Sequence, residues 1–189
     1  MKSAEILSLA SHPSLVTFLG FLGISLKQPH RLLYLVDVSL FYSLSPVLIT
    51  WGLALAGKIR DSLLSEREDR FLPISIAVLG YLIGSSLLLL VYGLTVPTYL
   101  ALCYISNTLT VLGVTTRYKV SIHLATLAGV ITALVYLFGP LLSPLYCLSI
   151  PVGWARVRLG VHDLAQVAWG FVLGATLTGS ELFLLHSIL

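Results

Sequence analysis

The stretch FLPISIAVLGYLIGSSLLLLVYGLTVPTYLALCYISNTLTVLGVTT, residues 71–116, runs for 46 residues without a formal charge. A helix needs about 20 predominantly apolar residues to cross a hydrocarbon core roughly 30 Å thick, so this run is long enough to cross twice. A second uncharged run, residues 120–155, extends for 36 residues and reads the same way. The whole chain of 189 residues is 57% hydrophobic and 10% charged. Soluble domains average about 45–50% apolar and about 25% charged, which sets this chain apart from them.

Only a helix satisfies its own backbone in lipid, and these runs are too long for barrel strands. Breaks at charge, Gly and Pro give seven approximate spans: 6–26, 33–57, 71–93, 95–115, 120–138, 141–156 and 163–185. The expected fold is therefore an all-α integral membrane protein, a bundle of six to seven transmembrane helices forming one domain over residues 1–189. The first and sixth spans are the interrupted ones, by His12-Pro13 and by Pro144 and Pro151. Met1-Lys2 and the apolar residues behind them lack a clear small-x-small cleavage site, so the first segment is expected to be retained.

Seven crossings put the N-terminus on one side with the loops after the second, fourth and sixth helices. That side collects nine of the eleven Lys and Arg residues, leaving Lys27 and Arg31 opposite. The positive-inside tendency makes the rich side cytoplasmic, in the plasma membrane or another cell membrane. The net charge is +3, but the cations form no continuous stripe with interleaved aromatics, so no nucleic-acid partner is expected. Cys103 and Cys147 lack partners at ligand spacing and read as packing residues. The alternating charges of Lys58 to Arg70 read as a solvated turn, or else as a loop that folds Arg67 or Arg70 over a site.

Two polar clusters fall on the cation-rich side: Arg117-Tyr-Lys119-Val-Ser121-Ile-His123, and Arg156-Val-Arg158-Leu-Gly-Val-His162-Asp163. Ionisable groups at membrane depth are costly unless paired or facing water, which marks them as functional candidates. Lys119 and His123, four residues apart, are expected on one helical face, with Ser121 in the first turn, where unpaired N–H groups and the helix dipole favour an anion. Arg156 offers a planar fork that matches phosphate oxygens, and Arg117 a second charge. With two histidines nearby, one can attack phosphorus while the other protonates the leaving oxygen. His12, His30 and His186 read instead as packed or snorkelling side chains. Ala125, Ala128, Gly129, Gly170, Gly174 and Ala175 have the spacing of close helix contact.

These residues resemble the type 2 phosphatidic acid phosphatase and vanadium haloperoxidase superfamily, whose motifs read roughly K-x6-R-P, P-S-G-H and S-R-x5-H-x3-D. The second appears here as Val120-Ser121-Ile122-His123. The third appears as Ala155-Arg156, five residues, His162, three residues and Gln166. The resemblance spans about residues 110–175, including the helix that continues through Gly170 and Gly174. It implies a hydrolase in which His162 is the nucleophile forming a phosphohistidine and His123 the general acid. Arg156, Ser121 and Lys119 would hold the phosphate, and no metal or cofactor is implied. Lys119 and Arg117 stand in for a first motif that has no recognisable form; Arg67-Glu-Asp-Arg70-Phe-Leu-Pro73 is the other candidate.

The departures carry consequences. Gln166 in place of Asp can still orient the second ring nitrogen of His162 through its amide oxygen. It brings no carboxylate to stabilise a developing imidazolium, so slower turnover is expected. Asp163, if helical, points about 100° away from His162. The expected function is hydrolysis of a lipid phosphate or diphosphate of polyprenyl or glycerolipid type, with membrane lipids as surroundings. The alternative is a non-catalytic relative that binds lipid phosphate or acts as a scaffold.

Overall fold

The computed structural model describes residues 1–61, 64 and 66–186; the side chain of His186 lies outside the described residues. Helix makes up 82% of the chain, and no strand occurs among the described residues. In chain order the α-helices are α1 (Lys2–Ala10), α2 (Pro13–Ser25), α3 (Arg31–Val38), α4 (Ser45–Leu55), α5 (Phe71–Tyr92), α6 (Val96–Thr115), α7 (Ile122–Phe138), α8 (Ser149–Arg158) and α9 (Leu164–His186).

Among the described residues, four helical stretches are long and apolar enough to cross a membrane: Arg31–Leu55, Glu68–Tyr92, Val96–Thr115 and Leu164–Leu185. A fifth arises if α1 and α2 form one broken span, bent by 43°. Six to seven crossings were expected, and two stretches account for the difference. The α7 helix has 17 residues, about 25 Å at a rise of about 1.5 Å per residue, against a core of roughly 30 Å. The stretch 141–156 is no single helix: a 3-10 segment, Pro140–Leu148, carries Pro144 and leads into the ten residues of α8. Pro144 has no N–H for a continuous ladder, whereas Pro151 sits in the first turn of α8, where that N–H would be unsatisfied anyway.

Proline explains the other breaks too. Pro13 opens α2 with its φ already set for helix and holds His12 away from helical geometry. His12 Nδ1 accepts the Ser14 N–H at 3.3 Å and so caps α2. Between α3 and α4 the chain passes through a π-helical turn, Ser39–Leu44, which ends two residues before Pro46. Pro46 cannot donate back to residue 42, and the ladder widens just upstream of it. Thr95 caps α6 by accepting the Thr98 N–H at 3.3 Å, after Gly93 has ended α5 with φ 65°. Large apolar side chains such as Trp51, Leu79, Leu90 and Phe183 are exposed, as on helices whose solvent is lipid.

The chain folds into two compact units, residues 25–119 and residues 1–24 with 120–189. Within the first, α5 and α6 enclose a tyrosine cluster. Tyr42 stacks on Tyr81 at 5.1 Å, and Tyr104 stands edge-on to both. The Tyr42 hydroxyl bonds with Ser85 Oγ and donates to the Tyr81 carbonyl at 3.1 Å, which satisfies a polar group in the core.

Within the second unit the axis is the α7–α9 pair. A Cβ built on Gly170 would collide with the backbone carbonyl of Ser121, and one on Gly174 with that of Ala125. These two glycines, four residues apart, let the backbones approach to contact. Val16, Leu124, Leu127, Ile131 and Val152 form the buried core beside them, with Phe171 and Tyr146 packed against it. The same close approach places the start of α7 against the start of α9.

Candidate active site

Ser121 is the residue that caps α7, and its N–H donates to the carbonyl of Gln166 at 3.1 Å. That bond ties Ser121 of one polar cluster to the first turn of α9, which follows the other. His123, one residue into α7, is buried, as are Arg156 at the end of α8 and His162 in the turn before α9. Gly160, with φ 68°, supplies the left-handed residue that turns the chain from α8 back toward α9. Arg156, His12 and His162 all lie within electrostatic reach of His123.

The His162 ring bonds from its Nδ1 to Gln166 Oε1 at 2.9 Å. A carbonyl-type oxygen only accepts, so Nδ1 carries the hydrogen and Nε2 of the neutral ring carries the lone pair. Asp163 has a different task. Its Oδ1 accepts the Gln166 N–H at 2.8 Å, capping α9, which begins at Leu164. Neither His162 nor Asp163 is helical, so the 100° offset does not apply, and the carboxylate is engaged by the backbone.

Arg156 Nε and Ser121 Oγ are buried and have no hydrogen-bond partner. An unpaired polar atom in such a place costs roughly 1–3 kcal/mol, and more for a charged group. Two donors of this kind, beside the N-terminal end of α7, form a setting that an oxyanion would satisfy.

Arg117 and Lys119 belong to the unit of residues 25–119. The α7 helix begins at Ile122, so Lys119 precedes it, and the helical four-residue relation to His123 expected from sequence does not exist. Arg117 is exposed, and its carbonyl accepts from Arg67 Nη1 at 3.2 Å. In the same unit Arg70 is buried, with Nε donating to the Leu64 carbonyl at 3.0 Å. The loop therefore pairs its charges in part, as in Arg60–Asp69 at 3.9 Å, but it is not wholly a solvated turn.

Two residues of this region had no functional place in the sequence analysis. Ser8 of α1 accepts from Arg156 Nη1 through its hydroxyl at 2.6 Å, and from His123 Nε2 through its carbonyl at 3.3 Å. His12, expected merely to pack, lies edge-on to the His123 ring at 5.9 Å. The His12-Pro13 pair marked a helix break, but nothing in the apolar run around Ser8 marked a polar contact.

A family model described as the PAP2 superfamily matches residues 71–185, more than half of the chain. The chain belongs to the PAP2 superfamily. The match takes in Arg117, Lys119, Ser121, His123, Arg156, His162 and Gln166, and confirms the type 2 phosphatidic acid phosphatase resemblance read from the sequence. Neither a curated protein nor a solved structure matches the chain. PAP2 membership places this membrane protein in a family of phosphatases. Ser8 and His12 lie outside the matched region.

Proposed function

We propose that the protein is a membrane lipid phosphatase that hydrolyses a polyprenyl or glycerolipid phosphate or diphosphate through a phosphohistidine. His162 Nε2 attacks phosphorus, and the bond from phosphorus to the leaving oxygen breaks. His123, entering this step as the imidazolium, gives that oxygen its proton and becomes neutral. Arg156 and Ser121 hold the phosphoryl oxygens. A water molecule then attacks the phosphohistidine and passes a proton to His123, releasing inorganic phosphate and restoring both histidines. Gln166 keeps the hydrogen on Nδ1 of His162 throughout. The excess of Lys and Arg on the expected N-terminal side supports a site on the cytoplasmic face.

The observation that carries this reading is the His162–Gln166 bond, because it gives the ring nitrogen opposite Gln166 the lone pair that a nucleophile needs. The unpaired Arg156 Nε and Ser121 Oγ support a phosphoryl ligand in the same unit. The test is phosphate release by detergent-purified protein from a panel of prenyl diphosphates and phosphatidic acid, beside His162→Ala. Release that disappears in the variant is expected. Lipid phosphate binding without release would instead favour the second reading, a non-catalytic binding protein, for which the amide of Gln166 in place of a carboxylate is the observation.

A further inference from the structure

Ser8 meets both of the groups that the proposed mechanism must offer to substrate. Arg156 Nη1 donates to its hydroxyl at 2.6 Å, and His123 Nε2 donates to its carbonyl at 3.3 Å. The carbonyl only accepts, so Nε2 carries the hydrogen that the leaving oxygen requires. While that bond stands, His123 cannot pass this hydrogen to a leaving group. A phosphoryl oxygen and Ser8 therefore claim the same two donors.

The helix that brings Ser8 there packs on α8 but is short and buries little of its own surface. Of the nine residues of α1 only Ala4 is buried, while Met1, Ile6 and Leu9 are exposed. The helix ends at the break before Pro13, where α1 and α2 meet at 43°. The α2 side of that joint is fixed by the cap from His12 to Ser14. A short helix with little burial beside a proline break belongs to the low-stability end of a fold.

We propose that Ser8 is a specificity-determining residue: α1 occupies the phosphate site, and only a ligand that displaces Ser8 from Arg156 and His123 gains access to them. The inference rests on the phosphatase reading, in which those two side chains face phosphate. Inorganic phosphate can only exchange polar contacts for the ones Ser8 already makes. A lipid phosphate is confined to the same bilayer as α1 and meets the site at a higher effective concentration, so it displaces Ser8 more readily. The contact with Ser8 in this way weakens soluble phosphate binding more than lipid phosphate binding.

The test measures inorganic phosphate binding calorimetrically on the full chain in detergent, with thermal midpoints taken in parallel and no turnover required. Ser8→Ala removes one competing contact and is expected to tighten phosphate binding by about three- to tenfold. Ser8→Asp pairs a carboxylate with Arg156 and is expected to weaken binding by about tenfold while raising the thermal midpoint. Unchanged affinity in both variants, or affinity and thermal midpoint falling together in Ser8→Ala, would overturn the proposal. Arg156→Ala separates the two levels. Binding that needs Arg156 but ignores Ser8 removes only the role of α1, whereas no phosphate binding by any of the four proteins overturns the phosphate site as well.

Discussion

His162 donates its Nδ1 hydrogen to the Gln166 amide oxygen across one turn of chain, at 2.9 Å. The amide fixes the tautomer but contributes no negative charge as the ring becomes cationic during attack. Gln166→Glu preserves side-chain length and supplies that charge. It is expected to raise kcat by about tenfold or more, equivalent to about 1.4 kcal/mol at the barrier. Gln166→Leu leaves Nδ1–H unpaired in a buried place and should lower kcat by about ten- to hundredfold. Steady-state kinetics on one lipid phosphate compares all three, and a Glu variant no faster than the parent would contradict the role given to the missing carboxylate.

Arg156 is the second point of leverage, because its Nε is buried without a partner while Nη1 holds Ser8. A lysine keeps the charge and loses the planar fork. Arg156→Lys should therefore raise KM by about tenfold or more, and Arg156→Ala should remove measurable turnover. If Arg156→Lys left KM at the parental value, a point charge would suffice and bidentate binding would be refuted.

The parts of this molecule legible in the sequence are those whose signal is local. The uncharged run around Tyr92 and Gly93 announced α5 and α6, because hydrocarbon excludes charge and glycine ends helices. The pairing of His162 with residue 166 followed from the spacing of the third motif. Ser8 was not legible: its bonds reach His123 and Arg156 across 115 and 148 residues, and a serine in an apolar run announces nothing by itself. The stretch 141–156 misled for a different reason. Its hydropathy suits a membrane helix, but Pro144 removes an N–H that such a helix needs, and the backbone turns through a 3-10 segment instead. The four-residue spacing of Lys119 and His123 misled in the same way, since α7 begins at Ile122 and does not carry Lys119 onto the face of His123.

The approach of α7 to α9 is set by Gly170 and Gly174, and the bond from Ser121 N–H to the Gln166 carbonyl depends on that approach. Gly174→Ala places a methyl against the Ala125 carbonyl and forces the helices apart. Overpacking of this kind costs about 1–3 kcal/mol. The thermal midpoint in detergent should fall, and kcat should fall with it because Ser121 and Gln166 separate. Gly113→Ala, where a Cβ meets nothing within 4 Å, should leave both unchanged and serves as the control.

Asp163 sits beside the nucleophile in sequence, which invites an electrostatic role, yet its Oδ1 is bound to the Gln166 N–H at 2.8 Å. The two roles separate by substitution. Asparagine caps a helix about as well as aspartate, whereas loss of the cap to alanine costs about 1 kcal/mol. If capping is the whole function, Asp163→Asn retains both thermal midpoint and kcat, and Asp163→Ala lowers the midpoint by a few degrees. The first turn of α9 carries Gln166, so fraying it also loosens the hold on His162, and kcat in Asp163→Ala should drop several-fold. A carboxylate that stabilised the imidazolium directly would give the opposite ranking, with Asp163→Asn stable but slow. Thermal unfolding and kcat measured on the same two preparations decide between them.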